Sequence, residues 1–178
     1  MPQSPGMKKT SFPRALAQAL CRRQASQHND SGRSRLILFC DTSALAKLFI
    51  DEEHSGQMLE AAQQASAISV CRIAWAEMMA VMARRAREIP EDADTIDSGR
   101  TRFEQMWLDF AVIEMNQKLV KLAGDIAEAF ALRAYDSVQL AAAQRLHQGA
   151  NGQMTFACFD KRLQKAAAVM GLQVLEFS

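Results

Sequence analysis

The feature that most constrains the fold is the stretch Leu36-Ile37-Leu38-Phe39-Cys40-Asp41-Thr42-Ser43-Ala44-Leu45. Five apolar residues without alternation predict a strand buried on both faces, as in a parallel sheet covered by helices. The run stops at a carboxylate and two hydroxyls, and Ala44 to Phe49 then has helical character. In α/β sheets ligands gather outside the carboxyl ends of the strands, so an acid at such a corner is a candidate for chemistry. Asp41 also has a plain structural use, because Asp is a favoured helix N-cap worth about 1 kcal/mol.

A second stretch closes the same way. Met154-Thr155-Phe156-Ala157-Cys158-Phe159 predicts another buried strand, and Asp160 follows it. Ala67-Ile68-Ser69-Val70-Cys71 and Ala111-Val112-Ile113-Glu114-Met115 are shorter β-leaning runs. Helical spacing covers 55–65, 73–87, 91–108, 117–132, 137–146 and 161–170. Pro90 stops one helix, Asn116 is a good N-cap for another, and Gly171 ends the last. Leu172 to Phe177 alternates as a closing edge strand. Strands alternating with helices predict an α/β fold: a three-layer α/β/α domain on a mostly parallel central sheet. No period of 20–50 residues repeats, which excludes a solenoid.

That domain is expected over 35–178. Residues 1–34 are rich in Ser, Gln, Arg and Pro, and read as a disordered basic extension or as sequence upstream of the true start. Seven basic residues and one acid fall within 1–35, against 14 basic and 19 acidic residues in 36–178. The globular part is thus mildly acidic, and a nucleic-acid partner requires a local basic patch. The four cysteines, Cys21, Cys40, Cys71 and Cys158, lie far apart without a CxxC or Cys/His pair. This spacing argues against structural zinc or a disulfide framework and fits a reducing cytoplasm. No apolar run approaches the roughly 20 residues that span a bilayer.

Two further acids stand out. Glu77 lies in the strongly apolar helix Ile73-Ala74-Trp75-Ala76-Glu77-Met78-Met79-Ala80-Val81-Met82-Ala83, where a charge needs a partner unless it reaches solvent. Asp136 opens the helix that follows Arg133-Ala134-Tyr135, where capping is its ordinary role. In a parallel sheet the strand ends and the following helix starts share one rim, so Asp41, Glu77, Asp136 and Asp160 can converge. Two carboxylates at 4 Å repel by about 1 kcal/mol in water and about 4 kcal/mol at an effective dielectric of 20. Such a group persists if protonated, paired with Arg or Lys, or holding a cation. Oxygen-only donors select a hard ion, Mg²⁺ or Mn²⁺.

The residues that carry these acids resemble a known family. Phe39-Cys40-Asp41-Thr42-Ser43-Ala44-Leu45-Ala46-Lys47-Leu48 is similar to the opening motif of PIN-domain ribonucleases, particularly VapC-type toxins of bacterial toxin–antitoxin pairs. Trp75-Ala76-Glu77 is similar to the family's central Glu motif, and Leu132 to Ala143 to its third acidic motif. Cys158-Phe159-Asp160-Lys161-Arg162-Leu163 resembles the fourth. The resemblance implies Asp41 and Asp136 as the firmest metal ligands, with Glu77 and Asp160 completing the site or orienting water. It implies hydrolysis of an RNA phosphodiester to a 3′-hydroxyl and a 5′-phosphate, an antitoxin partner and a homodimer. The departures from the pattern are Cys158 and Cys71, where Thr or Ser is frequent, and Gln139, where His is common. The alternative is a non-catalytic PIN-like module that binds RNA or protein. Lys47, Arg133, Lys161, Arg162 and the run Arg84 to Arg87 are candidate contacts for an RNA backbone.

Overall fold

The opening apolar run forms β1 (Ile37–Cys40), the central strand of a parallel sheet. The computed structural model describes residues 36–150 and 153–177, so the basic extension expected over 1–34 lies outside the described residues. β1 is flanked by β2 (Ala67–Cys71) and β4 (Met154–Ala157), with Ile37 in register with both Ala67 and Met154. β3 (Ala111–Ile113) and β5 (Gln173–Val174) are the edges, giving the order β3-β2-β1-β4-β5. The continuous apolarity of β1 and β4 follows from this central placement, since each strand has helices on both faces.

Seven α-helices lie among the described residues: α1 (Thr42–Ala46), α2 (Ser55–Gln64), α3 (Ala74–Glu88), α4 (Ala93–Met106), α5 (Gln117–Phe130), α6 (Ala134–Gly149) and α7 (Lys161–Val169). They form two layers. Leu38, Ile68, Val70 and Ala157 point into a core built with Leu45, Met58, Met78, Met82, Ile96 and Phe103 from α1 to α4. Phe39, Phe156 and Cys158 point the other way, against Leu119, Ile126, Leu140 and Leu163 from α5 to α7. The phenyl rings of Phe39 and Phe156 stack across β1 and β4 with centroids 5.8 Å apart. The expected three-layer α/β/α fold on a parallel sheet is the observed one.

Local differences have identifiable causes. The helix after Asp41 stops at Ala46, and the chain then turns so that Leu48, Phe49 and Ile50 all enter the core. β5 is only two residues long, although the Leu175 N–H still bonds the Phe156 carbonyl. Beyond it, Phe177 stacks on Phe159 at 4.1 Å, and His54 lies on the same ring at 5.7 Å. Asn116 caps α5 as expected, accepting from the Leu119 N–H at 3.1 Å.

The order of the strands fixes where a ligand can sit. From β1 the chain runs outward through β2 to β3, then returns to the other side of β1 for β4 and β5. The winding reverses between β1 and β4, and the crevice of such a sheet opens at the carboxyl ends of those two strands. Asp41 directly follows β1, and Asp160 lies three residues beyond β4.

Candidate active site

Asp41 lies at this switch point and is 5 % exposed. It does cap α1: one oxygen, Oδ1, accepts from the Ala44 N–H at 2.9 Å and from the Ser43 hydroxyl at 2.8 Å. The Ser43 hydroxyl in turn accepts from the Phe159 N–H at 2.8 Å, tying the end of β1 to the segment after β4. Burial pushes the Asp41 carboxyl up from 3.8 to about 6, against the pull of the Ala44 and Ser43 bonds, and the nearby Glu77 charge adds to the rise. Oδ1 carries both capping bonds and the Cys158 thiol adds a further bond to the carboxyl, so capping and a site role fall on one side chain.

Glu77 stands in the first turn of α3 and is half-buried. Its Oε2 accepts from the Thr42 hydroxyl at 2.6 Å and from the Gln139 amide at 2.7 Å. Gln139 also donates to the Thr42 oxygen at 3.0 Å. An acid in an apolar helix thus has the partners that burial requires. Gln139 reaches over the end of the sheet from α6, so helices of both layers meet on this one carboxylate. The Gln139 side chain is buried, and its Oε1 has no hydrogen-bond partner among the described residues.

Asp136 lies one turn before Gln139 on the same face of α6. It is not the N-cap: Arg133 holds that position and makes no side-chain cap bond. Asp136 is the third helical residue and takes a hydrogen bond from the Arg133 backbone, as the acid of a capping box does. Burial first, then the charge of Asp160, raise its carboxyl, while Arg133 and Arg162 pull it down. Asp160 is exposed and caps α7, accepting from the Arg162 and Leu163 N–H groups at 2.8 and 3.0 Å.

The four acids share one rim but stand there as two interacting pairs, Asp41 with Glu77 and Asp136 with Asp160. Among the described residues no group of three or more His, Cys, Asp or Glu side chains is spaced to hold one ion. The reason is local: three of the four are engaged in helix starts, and the fourth is held by Thr42 and Gln139. The donor set still suits a hard divalent cation. It is all oxygen, its most buried member is raised chiefly by desolvation, and the Gln139 amide that holds Glu77 carries an orphaned oxygen.

The sulfur of Cys158 is worked into the corner, accepting from the Asp160 N–H at 3.2 Å. Burial and the Asp41 charge hold its thiol far above the ordinary cysteine range. The sequence assigned these links to neither Ser43 nor Gln139. Lys47 is corrected as an RNA contact. It is buried, its Nζ donates to the Glu53 carbonyl at 2.9 Å, pairs with Glu52 at 3.3 Å and lies 4.4 Å over the Phe159 ring. Arg84 and Arg85 sit late in α3 and pair with Glu88 and Asp92. Arg133, Lys161 and Arg162 are exposed on the rim.

A ribonuclease VapC45 from Mycobacterium tuberculosis is 29% identical over 138 residues, 78% of this chain and 94% of that protein. The FitAcB crystal structure from Neisseria gonorrhoeae covers 78% of this chain and 96% of its own, with a TM-score of 0.55 at 17% identity. The VapBC2 structure from Rickettsia felis, bound to a DNA fragment from its promoter, covers 80% and 100%, with a TM-score of 0.54 at 11% identity. These two similarities are of fold. The model of the PIN domain matches residues 38–169, from β1 to the end of α7 and across all four acids, and the chain belongs to that family.

Proposed function

We propose that this protein is a divalent-metal-dependent endoribonuclease that hydrolyses RNA phosphodiester bonds and acts as the toxin of a toxin–antitoxin pair. The observation that carries the reading is Asp41, a desolvated carboxylate at the switch point of the sheet with Glu77 held beside it by Thr42 and Gln139. The ribonuclease name of the Mycobacterium tuberculosis relative supports the reaction class.

Asp41 and Asp136 would be the principal ligands of Mg²⁺ or Mn²⁺, with Glu77 and Asp160 completing the set. A bound ion of this kind supplies a water of lowered pKa and stabilises charge on the phosphoryl oxygens and leaving group. The chain's own contributions are distinct. Thr42 and Gln139 fix the rotamer of Glu77, and Ser43 fixes Asp41 against the Phe159 backbone. The buried Gln139 Oε1 can accept a hydrogen bond from a water in the crevice and so orient it. Arg133, Lys161 and Arg162 offer exposed cations to the RNA backbone on the Asp160 side. The products would carry a 3′-hydroxyl and a 5′-phosphate.

The same reading assigns an antitoxin protein and a second copy of the chain as partners and a cytoplasmic location. Exposed apolar side chains such as Leu108, Val120 and Val169 are available for such contacts, and no described helix is long and apolar enough to cross a membrane. The test is cleavage of single-stranded RNA with Mg²⁺ or Mn²⁺. EDTA and Asp41→Asn are each expected to reduce the rate at least 100-fold, on the order seen when a transition-state charge contact is lost. Equal cleavage by wild type and Asp41→Asn overturns the proposal.

A further inference from the structure

Beside the acids, on the β2–β3 side of the rim, lies a cleft of about 440 Å³ lined by Arg72, Ile73, Trp75, Ala76, Trp107 and Met115. Arg72, Ile73, Trp75 and Ala76 all lie shortly before Glu77 in the chain, where β2 gives way to α3. Arg72 and Met115 follow the carboxyl ends of β2 and β3, and the Arg72 N–H bonds the Ile113 carbonyl at 3.0 Å. The cleft therefore opens on the same rim as the crevice, next to the helix turn that carries Glu77.

Its walls are aromatic and held in place. Trp75 packs on Phe103 at 5.3 Å and edge-to-face with Trp107 at 5.0 Å, and Trp107 is wedged against Phe103 and Phe110 as well. The Arg72 guanidinium lies 5.9 Å from the Trp107 ring and is oriented by a bidentate pair with Glu114. Trp107 is buried and backs the cleft, so the surface open to a planar base is the half-buried Trp75 indole and the exposed Arg72 guanidinium plane, groups on which a base stacks. A helix docks through anchors spread over i, i+3, i+4 and i+7, whereas the lining here centres on one indole and one guanidinium, a pair that suits a single stacked ring.

We propose that the Trp75–Trp107–Arg72 cleft seats one nucleobase of single-stranded RNA, beside the phosphate to be cleaved. The inference rests on the ribonuclease reading for its ligand but not on catalysis. Seating a base there fixes the strand relative to Glu77 through a contact that any base can make with its π-face.

Trp75 and Trp107 are the only two tryptophans in the chain, so its intrinsic tryptophan fluorescence comes entirely from this cleft. The experiment uses the full chain with Asp41→Asn, titrated with a labelled single-stranded oligoribonucleotide while anisotropy and tryptophan emission are followed together. Emission is expected to be quenched in parallel with binding. Trp75→Leu is expected to weaken binding about tenfold, as loss of one stacked base does. An oligonucleotide abasic at the seated position should bind with the same loss and be insensitive to Trp75→Leu. Because Trp75 also packs on Phe103, Ala76→Leu serves as a second variant that fills the cleft from an exposed helical position, with the same expected loss. RNA bound without quenching, RNA not bound at all, or quenching produced only by a partner protein each overturns the proposal. Quenching by RNA in a protein whose wild type does not cleave leaves the base site standing and removes the nuclease reading.

Discussion

Asp41 illustrates how much a single carboxylate can hold in tension. Its carboxyl titrates near 6 in the folded chain and at the ordinary 3.8 when unfolded, so the native state binds the extra proton between those values. Stability is then fullest below about pH 4 and falls as pH rises to about 6. Asp41→Asn keeps an oxygen for the Ala44 and Ser43 bonds and removes the charge. At pH 7 without divalent ions it should be more stable than wild type, by up to about 3 kcal/mol, with the difference vanishing below pH 4. Urea unfolding of both proteins from pH 4 to 7.5 checks this; a variant less stable at pH 7 contradicts the assigned burial cost. Three of the four candidate acids stood out in the sequence because two end apolar runs and one interrupts an apolar helix, whereas Asp136 read as an ordinary helix-start acid. Gln139 and Ser43 were not legible in these roles: their partners Glu77 and Phe159 are 62 and 116 residues away, and neither residue type announces such a contact.

Helices and strands were legible where one pattern dominates and not where tertiary contact overrides it. The apolar runs of β1 and β4 and the Asn116 cap are of the first kind. The early end of α1 and the shortness of β5 are of the second, because Phe49 and Phe177 leave the regular path to reach aromatic partners. Glycine in α4 and α5 makes the contrast testable. A Cβ on Gly99 would come within 2.9 Å of the Phe49 carbonyl oxygen, which belongs to the turn after α1 and cannot swing aside like a side-chain tip. Gly99→Ala should therefore cost about 1–3 kcal/mol although alanine is the better helix former. A Cβ on Gly124, in α5, meets nothing within 4 Å, and Gly124→Ala should gain about 0.5–1 kcal/mol. Thermal unfolding of the pair reads both signs at once.

Among the described residues the two cores draw on positions from Ile37 to Phe177. Residues 1–34 carry no core pattern in the sequence, so removing them should leave the melting temperature within about 2 °C, and cleavage of a short oligonucleotide within about twofold. The same deletion removes most of the positive charge of 1–35, seven basic residues against one acid, and should flatten the salt dependence of binding to long RNA. A truncated protein that fails to fold refutes the first expectation. The far end of the chain behaves differently. Phe177 lies on Phe159, which neighbours Asp160 and is covered in turn by His54 and Lys47. Anything fused directly behind Phe177, such as an affinity handle or a reporter, pulls on the bracket that positions the last acid. Purification schemes and cellular assays that attach cargo at that end need a generous spacer, or an inactive preparation will say more about the cargo than about the protein.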